Sequence, residues 1–105
     1  MSNDKRLVIP DEVVMNKIYL IRNQKVMLDR DLSELYGVKT IRLREQVKRN
    51  QERFPENFMF QLNEKEVENM VSQNAIPSKS HLGGYLPYAF TEHGVLMLAN
   101  ILKSE

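Results

Sequence analysis

The chain has 105 residues, a net charge of +1 and 42% hydrophobic residues. This length suits one compact domain with a single modest core, and it excludes a large enzyme with a separate substrate domain. No apolar run approaches the roughly 18 residues of a membrane-spanning helix, and the N-terminus lacks the apolar stretch of a signal peptide, so the chain is expected to be cytoplasmic and without membrane contact.

The start of the chain is predicted to be an arm followed by a β-hairpin. Residues 1–17 are expected to form an N-terminal arm with a short strand at Leu7–Ile9, and residues 18–105 are expected to form one domain. Two apolar runs within residues 18–28 flank a polar stretch that contains Asn23. Because asparagine tolerates positive φ, these runs are expected to pair as a tight hairpin.

A helix, a glycine-containing turn and a basic helix are predicted next. Asp29 is predicted to cap the first helix, and Gly37 is expected to end it at positive φ. Thr40 is predicted to cap the second helix, which is expected to run to Arg53 because Pro55 prevents it from continuing. This order is that of a helix-turn-helix, whose second helix enters the major groove of DNA.

The second half of the chain is predicted to contain further strands and helices. A strand is expected at residues 58–62, followed by a helix that Asn63 caps. Residues Tyr85–Phe90 are predicted to be extended at a sheet edge or outside the sheet, because Pro87 cannot donate to a ladder. Thr91 is predicted to cap a last helix. The expected fold is therefore an α+β domain with several short strands and about four helices, including a helix-turn-helix-like pair.

The last predicted helix is apolar over a wide arc. Val95, Leu98 and Leu102 are expected to face inward, and Met97 and Ile101 lie beside this stripe. A surplus apolar face of this kind would pack against a second copy or a further segment of chain. A homodimer is therefore an expected partner arrangement.

Positive charge is concentrated in the second predicted helix. Residues 39–53 contain six basic and two acidic residues, whereas residues 54–105 contain three basic and six acidic ones. Arginine can bond guanine bidentately, glutamine can bond adenine, and lysine neutralises phosphate. The predicted contacts with double-stranded DNA are Lys39, Thr40, Arg42, Arg44, Gln46, Lys48, Arg49 and Arg53. Those expected at base edges are Arg42, Gln46 and Arg49, and those expected at phosphates are Lys39, Lys48 and Arg53.

Spacing alone leaves a second interpretation of this helix open. A basic helical face is equally typical of a solvated surface. In a standard helix-turn-helix with Gly37 in its turn, an apolar residue is expected where Gln46 stands, and Val47 takes the inward place instead. Either the turn is one residue longer than usual, or the two helices pack differently.

Three stretches of the sequence resemble the ORF6N domain, a relative of the KilA-N domains of large DNA viruses and phages. They are IYLIRNQKVMLDRDLSELYGV at Ile18–Val38, LREQVKRNQERFPENFMFQL at Leu43–Leu62 and YLPYAFTEHGVLMLANIL at Tyr85–Leu102. The resemblance implies DNA binding and, because such domains often begin phage antirepressor-like proteins, a role in transcription regulation. Asn23 stands where a glycine is common in the family, so the hairpin is expected to differ slightly.

The alternative function is a protein–protein interaction module that binds a repressor or another partner. Edge strands at Leu7–Ile9 and Tyr85–Phe90 could pair with another chain. An enzyme is not expected, and no catalytic residue, cofactor or metal is assigned. The chain has no cysteine, and its two histidines, His81 and His93, lack both a nucleophile arrangement and carboxylates at metal-ligand spacing.

Overall fold

The structure, a computed structural model, describes residues 17–82 and 84–103. The predicted strand at Leu7–Ile9 and most of the predicted N-terminal arm lie outside the described residues. Within them, four strands form one antiparallel sheet that is accompanied by four α-helices, so the predicted α+β class is confirmed. No helix in that part of the chain has the length and apolar character needed to cross a membrane.

The elements follow one another in the order ββααβαβα. The strands are β1 (Tyr19–Ile21), β2 (Gln24–Leu28), β3 (Met59–Gln61) and β4 (Tyr88–Phe90). The helices are α1 (Asp29–Tyr36), α2 (Thr40–Arg49), α3 (Glu64–Ser72) and α4 (Glu92–Lys103), and two 3₁₀ turns cover Gln51–Arg53 and Lys79–Leu82. The order of strands in the sheet is β1-β2-β4-β3, with every neighbouring pair antiparallel.

Strand β4 lies in the interior of the sheet. Phe90 pairs with Met27 of β2 on one side and with Met59 of β3 on the other. The prediction that Tyr85–Phe90 lies at a sheet edge or outside the sheet is therefore wrong. Pro87 stands just before β4, where its missing N–H removes no bond from either ladder.

The predicted hairpin is confirmed in β1 and β2. Arg22 and Asn23 connect the strands with φ values of 54° and 61°, and positive φ at both positions matches the twist of paired strands. The guanidinium of Arg22 leaves the hairpin and binds the Glu66 carboxylate of α3 through bonds of 2.8 and 3.0 Å. The hairpin is thus tied to the helix on its own side of the sheet.

Successive side chains along a strand point to opposite faces of the sheet, so the core is divided between these two faces. Val26 and Leu28 contact the cluster that includes α3, whereas Met27 between them contacts the cluster formed with α1, α2 and α4. We call the second group the helix-side cluster. Its buried members are Met27, Leu32, Leu43, Val47, Phe54, Phe90, Leu98 and Ile101.

Two of the predicted helix caps are confirmed. The side-chain oxygen of Asn63 accepts a bond from the Glu66 N–H at 2.8 Å, and the Glu66 carboxylate accepts one from the Asn63 N–H at 2.9 Å. This reciprocal capping box begins α3. The Thr91 hydroxyl oxygen accepts a bond from the Gly94 N–H at 3.4 Å, at the start of α4.

The rotation of α4 about its axis is fixed by a close backbone contact. A Cβ atom on Gly94 would lie 1.9 Å from the carbonyl oxygen of Phe58, so no larger residue fits without backbone movement. This contact points Gly94 at the sheet. Leu98 and Ile101 follow it at helical spacing, and all three residues are buried.

The predicted orientation of α4 is therefore wrong at several positions. Val95 and Leu102 are only half-buried, and Ile101 is buried within its own chain. Met97 packs partly against the helix-side cluster. The apolar residue that α4 does expose is Leu96, with 64% of its surface accessible.

Candidate nucleic-acid interface

A left-handed glycine makes the turn between α1 and α2. Gly37 has φ 68° and ψ 31°, which confirms its predicted positive φ. Its N–H donates to the Glu34 carbonyl at 3.2 Å, and the Val38 N–H donates to the Ser33 carbonyl at 2.9 Å. These bonds satisfy the last carbonyls of α1. Lys39 is extended, with φ −73° and ψ 141°, and α2 starts directly after it.

Asp29 and Thr40 are the first residues of their helices, so the prediction that they stand before them as caps is wrong. The cap positions belong to Leu28 and Lys39, neither of which makes a side-chain capping bond. The Thr40 hydroxyl instead shares a hydrogen bond of 2.8 Å with the Ser33 hydroxyl. Thr40, a predicted DNA contact, therefore joins the start of α2 to α1.

Arg44 and Asp29 form an ion pair between α2 and α1. Nη1 of Arg44 lies 2.6 Å from Oδ2 of Asp29, and the side chains are 13% and 3% exposed. The Asp29 carboxylate also accepts bonds from the N–H of Tyr88 at 3.1 Å and of Arg30 at 2.7 Å. One carboxylate thus connects both helices to strand β4.

Two aromatic rings pack against the guanidinium of this ion pair. The central carbon of the Arg44 guanidinium lies 4.2 Å from the ring centroid of Tyr88 and 4.9 Å from that of Tyr85. Burial raises the pKa of the Asp29 carboxyl, while the Tyr88 N–H and the Arg44 guanidinium act in the opposite direction by binding the ionised form. Arg44, another predicted DNA contact, has its charge compensated within the fold.

The opposite side of α2 faces solvent and carries most of its cations. Leu43 and Val47 are buried beneath the helix. We call the exposed side, together with the residue at the cap position, the basic face. Its residues are Lys39, Ile41, Arg42, Glu45, Lys48 and Arg49.

Helix α2 ends earlier than predicted. Asn50 leaves helical geometry with φ −119°, and its side-chain amide donates to the Gln46 carbonyl at 2.8 Å. The 3₁₀ turn at Gln51–Arg53 then directs Phe54 into the helix-side cluster. The prediction that α2 continues to Arg53 is therefore wrong, and this exposed arginine stands in the turn beyond the helix.

The predicted contact residues consequently separate into three groups. The basic face contains Lys39, Arg42, Lys48 and Arg49. Helix α1 is contacted by Thr40 and Arg44. The remaining two are Gln46, which is half-buried at the margin of the basic face, and Arg53, which lies beyond α2.

A shallow depression beside the basic face contains residues that sequence reasoning missed. It lies between the start of α2 and the chain leading into β4, and its lining includes Arg30, Ile41, Leu82 and Tyr85. A signal for Ile41 was present in the sequence. Ile41 does not share the helical spacing of Leu43 and Val47, which form the buried stripe. Its apolar side chain therefore points away from the core.

The chain matches the model of a known protein family. The family model of the ORF6N domain matches residues 16–101, a range that includes the sheet, the basic face and nearly all of α4. The resemblance noted in three stretches of the sequence is thereby confirmed. No curated protein and no solved structure matches the chain.

Proposed function

The chain belongs to the ORF6N domain family, and on that premise we propose that it binds duplex DNA through the basic face of α2. The observation that carries the proposal is the exposure of Lys39, Arg42, Lys48 and Arg49 on the second helix of a helix-turn-helix-like pair. Glu45 is the acidic residue among them. A basic second helix of such a pair suits the major groove in both shape and charge.

Arg42 and Arg49 are the base-contacting residues in this proposal. They are seven residues apart, about two helical turns, so they lie on the same side of α2. A guanidinium at the floor of the major groove can bond guanine O6 and N7 together. Lys39 and Lys48 are assigned to phosphates, while neither Gln46 nor Arg53 is required.

The biological role we assign is transcription regulation of phage or prophage type, as a regulator or as an antirepressor. This role is supported by the ORF6N family alone. It requires access to DNA, which is consistent with the cytoplasmic location expected from the sequence.

The proposal is tested by selecting binding sites from random duplex DNA. The wild-type chain should enrich a defined sequence, and the double variant Arg42→Ala/Arg49→Ala should lose that preference while unfolding at the same temperature. A matched control, Lys65→Ala/Lys103→Ala, removes two exposed positive charges from α3 and α4 and should retain the preference. Unchanged selection by the folded arginine variant would overturn the proposal.

Lys48 gives a second test because a phosphate contact behaves differently from a base contact. Lys48→Ala should weaken binding to all sequences alike, and the slope of log affinity against log salt should fall by about 1 as one phosphate contact is lost. The measurement is a salt titration of wild type and variant on the selected site. A changed sequence preference with an unchanged slope would contradict this assignment.

A second candidate function, protein binding, is favoured by an open apolar groove on the helix side of the sheet. Ile18, Met27 and Leu96 are among its lining residues, and Lys25 and Glu92 also line it. The occupant we favour is a second copy of the chain. A two-fold contact places the same patch against itself, so Lys25 of each copy could pair with Glu92 of the other.

Sedimentation at micromolar concentration tests this second candidate. A dimer formed through the groove should dissociate in Leu96→Glu, because a carboxylate would be buried against apolar side chains. Its association should also resist salt, unlike binding to phosphates. A wild-type chain that stays monomeric would remove the second copy as occupant, and a repressor would then be the remaining partner for this groove.

A further inference from the structure

The basic face contains an exposed apolar residue that the fold does not use. Ile41 has 57% of its surface accessible, although Leu43 and Val47 on the same helix are almost fully buried. It is the second residue of α2, next to Arg42. Since its side chain contributes little to the core, its position among cations needs another explanation.

An aromatic ring extends this apolar surface. Tyr85, 55% exposed, lies with Ile41 in the depression beside the start of α2. The Tyr85 ring packs against the Arg44 guanidinium, which is itself held by Asp29. An ordered apolar patch therefore adjoins the cations of the basic face.

We propose that Ile41, supported by Tyr85, contacts the C5-methyl group of a thymine in the major groove and so helps to determine sequence specificity. The inference rests on the proposed DNA binding. The thymine methyl is the apolar group that base pairs present in the major groove, and aliphatic side chains are suited to contact it. Residues at the start of a recognition helix are those that reach base edges. The cations around Ile41 bring a polyanion to this patch, which favours DNA over an apolar protein segment.

The test compares thymine with deoxyuridine, which differs from it only by the missing methyl group. In the duplex selected by wild type, each thymine is replaced in turn by deoxyuridine, and affinity is measured at constant salt. Wild type should lose affinity about fourfold at one position next to the base that Arg42 contacts, as expected for one buried methyl group. Ile41→Ala should bind the thymine duplex more weakly and should bind both duplexes equally.

Leu20→Ala is the matched control, because Leu20 is an exposed aliphatic residue on β1 and does not belong to the basic face. It should keep the full difference between thymine and deoxyuridine. Tyr85→Ala should reduce the difference, and Tyr85→Phe, which keeps the ring, should preserve it. The melting temperatures of all variants show whether each is folded.

Two results would overturn the inference while leaving the proposed function intact. One is a selected site at which wild type is indifferent to every thymine replacement. The other is an Ile41→Ala variant that distinguishes thymine from deoxyuridine as strongly as wild type does. Failure of the proposed function looks different, since wild type would then select no sequence and Arg42→Ala/Arg49→Ala would change nothing.

Discussion

Arg42 and Arg44 stand two residues apart on α2, but their environments differ. Arg42 is on the exposed basic face, whereas the side chain of Arg44 is 13% exposed and binds the buried carboxylate of Asp29. Both contribute equally to the charge excess that marks this helix in the sequence. The difference teaches that local charge density identifies a basic helix without showing which of its cations reach a ligand.

Burial explains why the two sides of α2 have different roles. A carboxylate removed from water is costly unless donors compensate it, and Arg44 supplies its compensating charge to Asp29. Exposed cations make little difference to folding and remain able to pair with phosphate. The inner side of α2 therefore orients the helix on the sheet, and the outer side is the one that the proposed DNA binding would use.

The largest expected effect on stability comes from replacing Arg44, the buried arginine of the two. Arg44→Ala should lower the free energy of unfolding by about 3–5 kcal/mol, because it leaves the buried Asp29 carboxylate without its cation. Arg42→Ala, at an exposed residue, should lower it by less than about 1 kcal/mol. Denaturant unfolding of the two variants at neutral pH gives both numbers. Equal losses would show that the two sides of α2 do not differ as described.

A second substitution identifies the cause of the Arg44 effect. Replacing Asp29 by asparagine in the Arg44→Ala chain removes the uncompensated charge but keeps an oxygen that can accept the Tyr88 N–H. The double variant should therefore regain part of the lost stability, a non-additivity expected for residues in direct contact. Simple addition of the two losses would show that packing of the Arg44 stem, and not charge, is responsible.

A smaller effect is expected at the turn that sets the orientation of α2. Gly37 has φ 68°, and a Cβ atom built on it meets no neighbour within 4 Å, so any cost of substitution arises in the backbone. Gly37→Val should lower the free energy of unfolding by about 1–3 kcal/mol, since β-branched residues are poorest at positive φ. Gly37→Asn is the control and should lose less, because asparagine enters this region more readily. Equal losses in thermal unfolding would place the cost elsewhere.

Much of the fold could be predicted because its signals are local. The hairpin at Asn23, the stop at Gly37 and the cap at Asn63 each depend on the conformational preference of one residue and its near neighbours. The structure confirms all three. The helical spacing of apolar residues similarly indicated the helices that pack on the sheet.

Three of the errors concern features that distant contacts decide. Helix α2 stops before Arg53, and Phe54 beyond it is buried in the helix-side cluster, a contact that the spacing of residues within the helix does not predict. The rotation of α4 follows from the approach of Gly94 to the Phe58 backbone. Arg44 is one of the predicted DNA contacts, but its partner Asp29 lies on another helix, and the spacing of residues within α2 does not predict the pair. In each case local propensity gave the element, and tertiary packing set its end or its orientation.

The smallest expected effect on stability concerns the ion pair of a third arginine, Arg22, with Glu66 on the other side of the sheet. The Arg22 guanidinium lowers the pKa of Glu66 by hydrogen bonding to it, and the two side chains are 39% and 19% exposed. Folding thus favours the ionised carboxylate. The resulting stability is present above the ordinary glutamate pKa and is lost as pH falls through the lowered value.

Glu66→Gln should therefore lower the free energy of unfolding by less than about 1 kcal/mol at neutral pH, the range of an ion pair that remains partly exposed to solvent. Glutamine can still accept the capping bond from the Asn63 N–H, so the substitution isolates the charge. The deficit should disappear only as pH falls below the lowered pKa of Glu66, where the wild-type carboxyl is protonated as well. Glu68→Gln is the matched control, because Glu68 lies 3.5 Å from Lys79 in a more exposed pair, and its loss should be smaller still. A Glu66→Gln deficit that persists unchanged in acid would assign the effect to packing rather than to the ion pair.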